Sequence, residues 1–71
     1  MSAISTDVAS QVRQALLDDP RTKDEVIEVS TMSGIVTLSG QVKSVRVSEA
    51  AEEIARQQPG VVSVVNELKT G

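Results

Sequence analysis

Residues 27–42 read Ile27-Glu28-Val29-Ser30-Thr31-Met32-Ser33-Gly34-Ile35-Val36-Thr37-Leu38-Ser39-Gly40-Gln41-Val42, and this stretch decides the fold. Ile27, Val29 and Thr31 alternate with Glu28, Ser30 and Met32, the period-two pattern of a strand with one buried face. After Ser33-Gly34 the alternation resumes, with Val36 and Leu38 on one face and Ile35, Thr37 and Ser39 on the other. A two-residue Ser-Gly connection between such runs is a tight hairpin. Pairing Met32 with Ile35 sets Thr31 opposite Val36, Val29 opposite Leu38 and Ile27 opposite Gly40. Every apolar side chain except Met32 and Ile35 then shares one face, and a slip of one residue would destroy the match. Gly40 falls on that buried face, where it is expected to mark a helix passing close to the sheet, or a bulge. The two strands are predicted over about 26–32 and 35–42.

Downstream, Val47, Ala50, Ala51, Ile54 and Ala55 have the spacing of one buried helical stripe, predicting a helix over about 45–57 with Ser44 as its N-cap. Glu52 and Arg56 are four apart in the favourable order, and Pro59-Gly60 ends the helix. A third strand follows over about 61–68, with Val62, Val64, Asn66 and Leu68 on one face and Val61, Ser63, Val65 and Glu67 on the other. Upstream, Ile4, Val8, Val12, Ala15 and Leu16 mark a helix over about 6–18, capped by Ser5 or Thr6, with Asp7 in its first turn and Asp18-Asp19-Pro20 at its end. The second strand, second helix and third strand form a βαβ unit whose right-handed crossover puts both helices over one face. The expected fold is α+β, an αββαβ two-layer sandwich: a three-stranded mixed sheet packed on one face by two helices. The favoured strand order is 1-2-3, the last pair parallel; the alternative sets the third strand beside the first, all antiparallel.

Composition narrows the chemistry. The chain has 71 residues, enough for one domain, and no Phe, Tyr, Trp, Cys or His. Disulfides and thiolate chemistry are excluded, and the commonest general base and transition-metal ligand are missing. A net charge of −3 and the lack of aromatic stacking platforms argue against nucleic acid as a partner. No stretch is long and apolar enough for a transmembrane segment. Met1 to Asp7 has neither a basic region nor an apolar core, so a chain starting natively at Met1 is expected to stay in the cytoplasm.

Three blocks of residues together carry a family likeness: Ala15-Leu16-Leu17-Asp18-Asp19; Ile27-x-Val29 with Gly34-Ile35-Val36-Thr37-Leu38-Ser39-Gly40-x-Val42; and Ala50-Ala51-x-x-Ile54-Ala55 with Pro59-Gly60-Val61-x-x-Val64-x-Asn66-x-Leu68. On these the chain, over residues 1–71 as one domain, resembles a BON domain, a transport-associated module named for bacterial osmotically induced and nodulation proteins. The resemblance implies the αββαβ fold, a periplasmic or envelope setting, phospholipid as a ligand, and frequent occurrence in tandem or beside other modules. The quoted residues serve turns and core, so the likeness speaks to fold more than to function.

The other residues that could carry chemistry fit plain structural roles better. Asp18, Asp19, Asp24 and Glu25 bracket a loop but lack the spacing of a calcium loop. Glu49, Glu52 and Glu53 fall on or beside the solvated face of the second helix. Ser33, Ser39, Ser44 and Ser48 have no His to activate them, and Lys43 next to Ser44 points away from it on an extended segment. A KH-like nucleic-acid module would need a basic G-x-x-G loop, which is missing. No catalytic residue, cofactor or metal site is therefore expected, and the reading is of a non-enzymatic binding module, monomeric. Its leading site is a basic pole of Lys23, Lys43, Ser44, Arg46 and Lys69, suited to anionic phospholipid headgroups or a membrane surface. The alternative is an apolar patch of Met32, Ile35, Val61 and Val65 on the open sheet face, suited to a protein partner or a neighbouring domain.

Overall fold

The structure is a computed structural model, described here for residues 7–71. Its elements run α1 (Val8–Asp18), β1 (Ile27–Met32), β2 (Ile35–Val42), α2 (Val45–Arg56) and β3 (Ser63–Thr70). The strand order is β1-β2-β3, with β1 antiparallel and β3 parallel to β2, so the favoured topology holds and the all-antiparallel alternative does not. The hairpin register is the expected one at every position from Ile27 opposite Gly40 to Met32 opposite Ile35. Ser33 and Gly34 take φ of 51° and 82°, the paired left-handed conformation whose twist matches that of the flanking strands.

Gly40 departs from the expectation. The ladder runs through it unbroken to Ile27 on one side and Leu68 on the other, so there is no bulge, and Gly40 is exposed rather than on the buried face. Its φ is +127°, and an added Cβ would stand 2.8 Å from the carbonyl oxygen of Val26. The crowding comes from the backbone entering β1, and only glycine fits both the angle and the space.

α1 also starts later than the sequence suggests. Its N-cap is Asp7, whose carboxylate accepts the amide of Ala9 at 3.2 Å. Ser5 and Thr6, the expected caps, and Ile4 lie outside the described residues. Asp, Ser and Thr are all competent caps, and the pattern alone could not choose among adjacent ones. The other end of α1 is closed by Thr22, a buried residue whose hydroxyl donates to the Leu16 carbonyl at 2.6 Å. α2 follows its prediction closely: the Ser44 hydroxyl accepts the Val47 amide at 3.4 Å, and Arg56 pairs with Glu52.

β3 begins two residues beyond its expected start. The amide of Val61 still donates to Gln58, and those of Val62 and Ser63 both donate to the Gly34 carbonyl, at 2.8 and 3.4 Å. The chain is thus hooked onto the hairpin turn before the ladder opens at Ser63 opposite Ile35. From there the expected alternation holds, with Val64, Asn66 and Leu68 turned towards the helices. Val12, Leu16, Val36, Leu38, Ala51, Ile54 and Ala55 form the buried centre, flanked by Val8, Ala15, Ile27, Val29, Val61, Val64 and Leu68. α1 lies against β1 and α2 against β3 and β2, and the two helices touch each other above one face of the sheet.

Leu38 is fully buried in the middle strand. Leu38→Ala is expected to cost about 2–5 kcal/mol, the range for a large-to-small change in a packed core. Met32→Ala, on the exposed side of the same hairpin, should change stability by no more than about 0.5 kcal/mol. Urea unfolding of the two variants checks both, and equal losses would contradict the assigned faces.

Candidate functional site

The ladder brings the ends of β2 and β3 together. Gln41 pairs with Lys69 and Val42 with Thr70, so Lys43, one residue past β2, emerges beside the end of β3. α2 starts at the same end, with Ser44 as its cap and Arg46 in its first turn. β1 enters there as well, because Ile27 pairs with Gly40, and Lys23 precedes it by four residues in the connecting turn. Lys23, Lys43, Ser44, Arg46 and Lys69 are all solvent-exposed. None of the four cations forms an ion pair among the described residues.

Two features at this pole escaped sequence reasoning. The first is Arg21, which with Arg46 and Val47 lines a concavity of about 320 Å³ between the connecting turn and α2. Its guanidinium is positioned by Asp19, which receives Nε and Nη2 at 3.0 Å each, while Nη1 lies 3.8 Å from Glu53. The same Asp19 carboxylate accepts the Arg21 backbone amide at 2.8 Å, a turn of the kind Asp favours ahead of Pro20. The Asp-Pro-Arg order was the available signal. The second feature is a pair of exposed valines: Val26, just before β1, is 81% and Val45, the first residue of α2, 59% accessible.

The acidic residues are dispersed. Glu53 faces Arg21, and Glu52 is engaged with Arg56 and with Asn66. Among the described residues no group of three or more Asp or Glu side chains is placed to hold a metal ion. Ser48 is also engaged, because the Asn66 amide donates to its hydroxyl at 2.9 Å and to its carbonyl at 3.2 Å.

The alternative patch is only partly assembled. Met32, Ile35 and Val65 share the uncovered face near the hairpin, Met32 opposite Ile35 and Val65 opposite Thr37. Val61 does not join them: it precedes the ladder and packs half-buried against the core. Val62, expected to point inward, is instead 79% exposed at that corner, with its Cγ2 over Gly34. One misplaced strand start exchanged the two valines.

The fold and these surfaces define a small two-layer αββαβ module with a basic rim and one uncovered sheet face. The chain belongs to the BON domain family, whose profile matches residues 5–71. It is 42% identical over 65 residues to Osmotically-inducible protein Y of Escherichia coli (strain K12). The alignment takes in 92% of this chain but 32% of that protein, so the chain spans about a third of the relative's length. Among the described residues no helix is long and apolar enough to cross a membrane.

The Asp19–Arg21 contact has a pH signature. The Arg21 side chain, and then its backbone amide, hold the Asp19 carboxyl below the usual aspartate value. A carboxyl depressed in the folded state stabilises at pH above its unfolded value, about 3.9, and that contribution is lost as pH falls through the folded value. Arg21→Ala should therefore move the Asp19 titration, followed by NMR, back towards the ordinary value and flatten the acid limb of stability. An unmoved midpoint would mean that the contact is not the cause.

Proposed function

We propose that this chain is a non-catalytic binding module that docks on anionic phospholipid headgroups through the pole formed by Lys23, Lys43, Ser44, Arg46 and Lys69. The observation that carries this reading is the meeting of unpaired cations with exposed Val26 and Val45 at one end of the domain. Cations ringing small apolar side chains suit a headgroup surface, where charge draws the domain in and apolar side chains enter the interface. The open amides at the start of α2 add partial positive charge there. Asp24 and Glu25 in the adjoining turn and the net charge of −3 weaken the field, so binding is low in affinity and sensitive to salt. The relative's name marks it as osmotically inducible, and we extend the same stress setting to this module. The competing reading is a protein-binding face centred on Met32, Ile35 and Val65, favoured by their exposure on the uncovered side of the sheet.

Titration of the labelled chain with phosphatidylglycerol vesicles distinguishes the two. Broadening is expected at Val26, Lys43, Ser44, Val45, Arg46 and Lys69 and not with phosphatidylcholine. The double reversal Lys43→Glu and Arg46→Glu should weaken binding at least thirtyfold at low salt, taking roughly 1 kcal/mol for each basic residue at the surface. Equal binding by the double reversal, or indifference to lipid charge, would overturn the reading. Perturbation confined to Met32, Ile35 and Val65 would transfer the site to the outer face.

A further inference from the structure

We propose that the free edge of β3 is a pairing site for a second copy of this chain, held shut by the side-chain carbonyl of Asn66. Among the described residues β3 has one neighbour in the sheet, so alternate amides along it point away from β2. An exposed row of this kind is a template for another strand unless something blunts it. The Leu68 amide is blunted: it donates to Asn66 Oδ1, two residues back on the same strand, at 2.9 Å. The other half of the Asn66 side chain cannot swing aside, because its Nδ2 donates to the carbonyl and hydroxyl of Ser48 and to Glu52 on α2. One amide group thus ties helix to strand with its nitrogen and closes the strand's edge with its oxygen.

The occupant that fits the edge is the same strand run antiparallel. A two-fold axis at Leu68 sets Glu67 opposite Lys69 of the second copy and Lys69 opposite its Glu67. Both side chains lie on the uncovered face, and neither has an ionic partner among the described residues. Opposite charges directly across an antiparallel pair attract. Moving the axis one residue to Glu67 sets like against like. The Leu68 amide is the donor that the Leu68-centred register needs, and it is the one that Asn66 occupies.

Three measurements test this. In the unmodified chain the Leu68 amide should exchange about tenfold more slowly than the edge amides of Asn66 and Thr70. Asn66→Asp keeps an acceptor for Leu68 and loses the donors to α2; Asn66→Lys keeps a donor to Ser48 and Glu52 and loses the acceptor. With folding checked by circular dichroism, the Lys variant should self-associate on sedimentation as concentration rises, while the Asp variant stays monomeric. Adding Glu67→Lys to the Lys variant should weaken its association about tenfold, and further adding Lys69→Glu should restore it. A Leu68 amide no slower than its neighbours overturns the cap even if the variants fail to fold. Equal association of the Asp and Lys variants, or a monomeric Lys variant, overturns the gate. Indifference to the charge exchange overturns the register.

Discussion

Leu38 sits where every other element has to meet. It lies fully buried in the middle strand, with Val29 across the antiparallel side and Asn66 across the parallel side, beneath the two helices. With no aromatic ring in the chain, the layer between sheet and helices is only as thick as aliphatic side chains make it. Ala51 and Ala55 let α2 approach closely, and both are fully buried. A core closed by its own small side chains leaves the rim and the uncovered sheet face as the open surfaces.

Asn66 is the polar counterpart of Leu38 in the same row. Ser48 and Glu52 are one turn apart on α2, so bonding both from one amide fixes the rotation of the helix as well as its distance. Together with the buried Ala50, Ala51, Ile54 and Ala55 stripe, that bonding helps set where the first turn of α2 points. In that turn Arg46 and Val47 lie beside Arg21 and Val45 is left in solvent.

Much of this could be read from the residues, and what could not has physical reasons. The hairpin was legible because two period-two runs met at a two-residue turn, so each position tested the others. Ser44 and the α2 stripe were legible for the same reason, several weak signals agreeing. The start of β3 was not, because it depends on amides of Val62 and Ser63 reaching the Gly34 carbonyl, a tertiary bond with no side-chain pattern. That two-residue error is why Val61 was assigned to the outer patch. Gly40 was recognised as special, but its neighbour is backbone, which hydrophobic pattern does not report. In the candidate site, Lys43, Arg46 and Lys69 came from topology alone, since strand ends and a helix start must coincide in a βαβ unit. Arg21 was missed because its place depends on the local turn that Asp19 makes, and Thr22 because a buried hydroxyl satisfying a helix end looks in sequence like any loop threonine.

The distribution of ion pairs resolves an apparent conflict between a chain of net charge −3 and the anion site proposed for it. Of seven basic residues, Arg21 and Arg56 are committed to acidic partners within the fold. Those pairs consume Asp19, Glu52 and Glu53, all of them on α2 or at the end of α1. Among the described residues Lys23, Lys43, Arg46 and Lys69 have no such partner, and they project where three strand ends and a helix N-terminus converge. Net charge is a sum over the whole surface, whereas a ligand within a Debye length, about 8–10 Å at ordinary salt, feels only the nearest charges. The acidic total therefore lowers the long-range attraction without cancelling the local one.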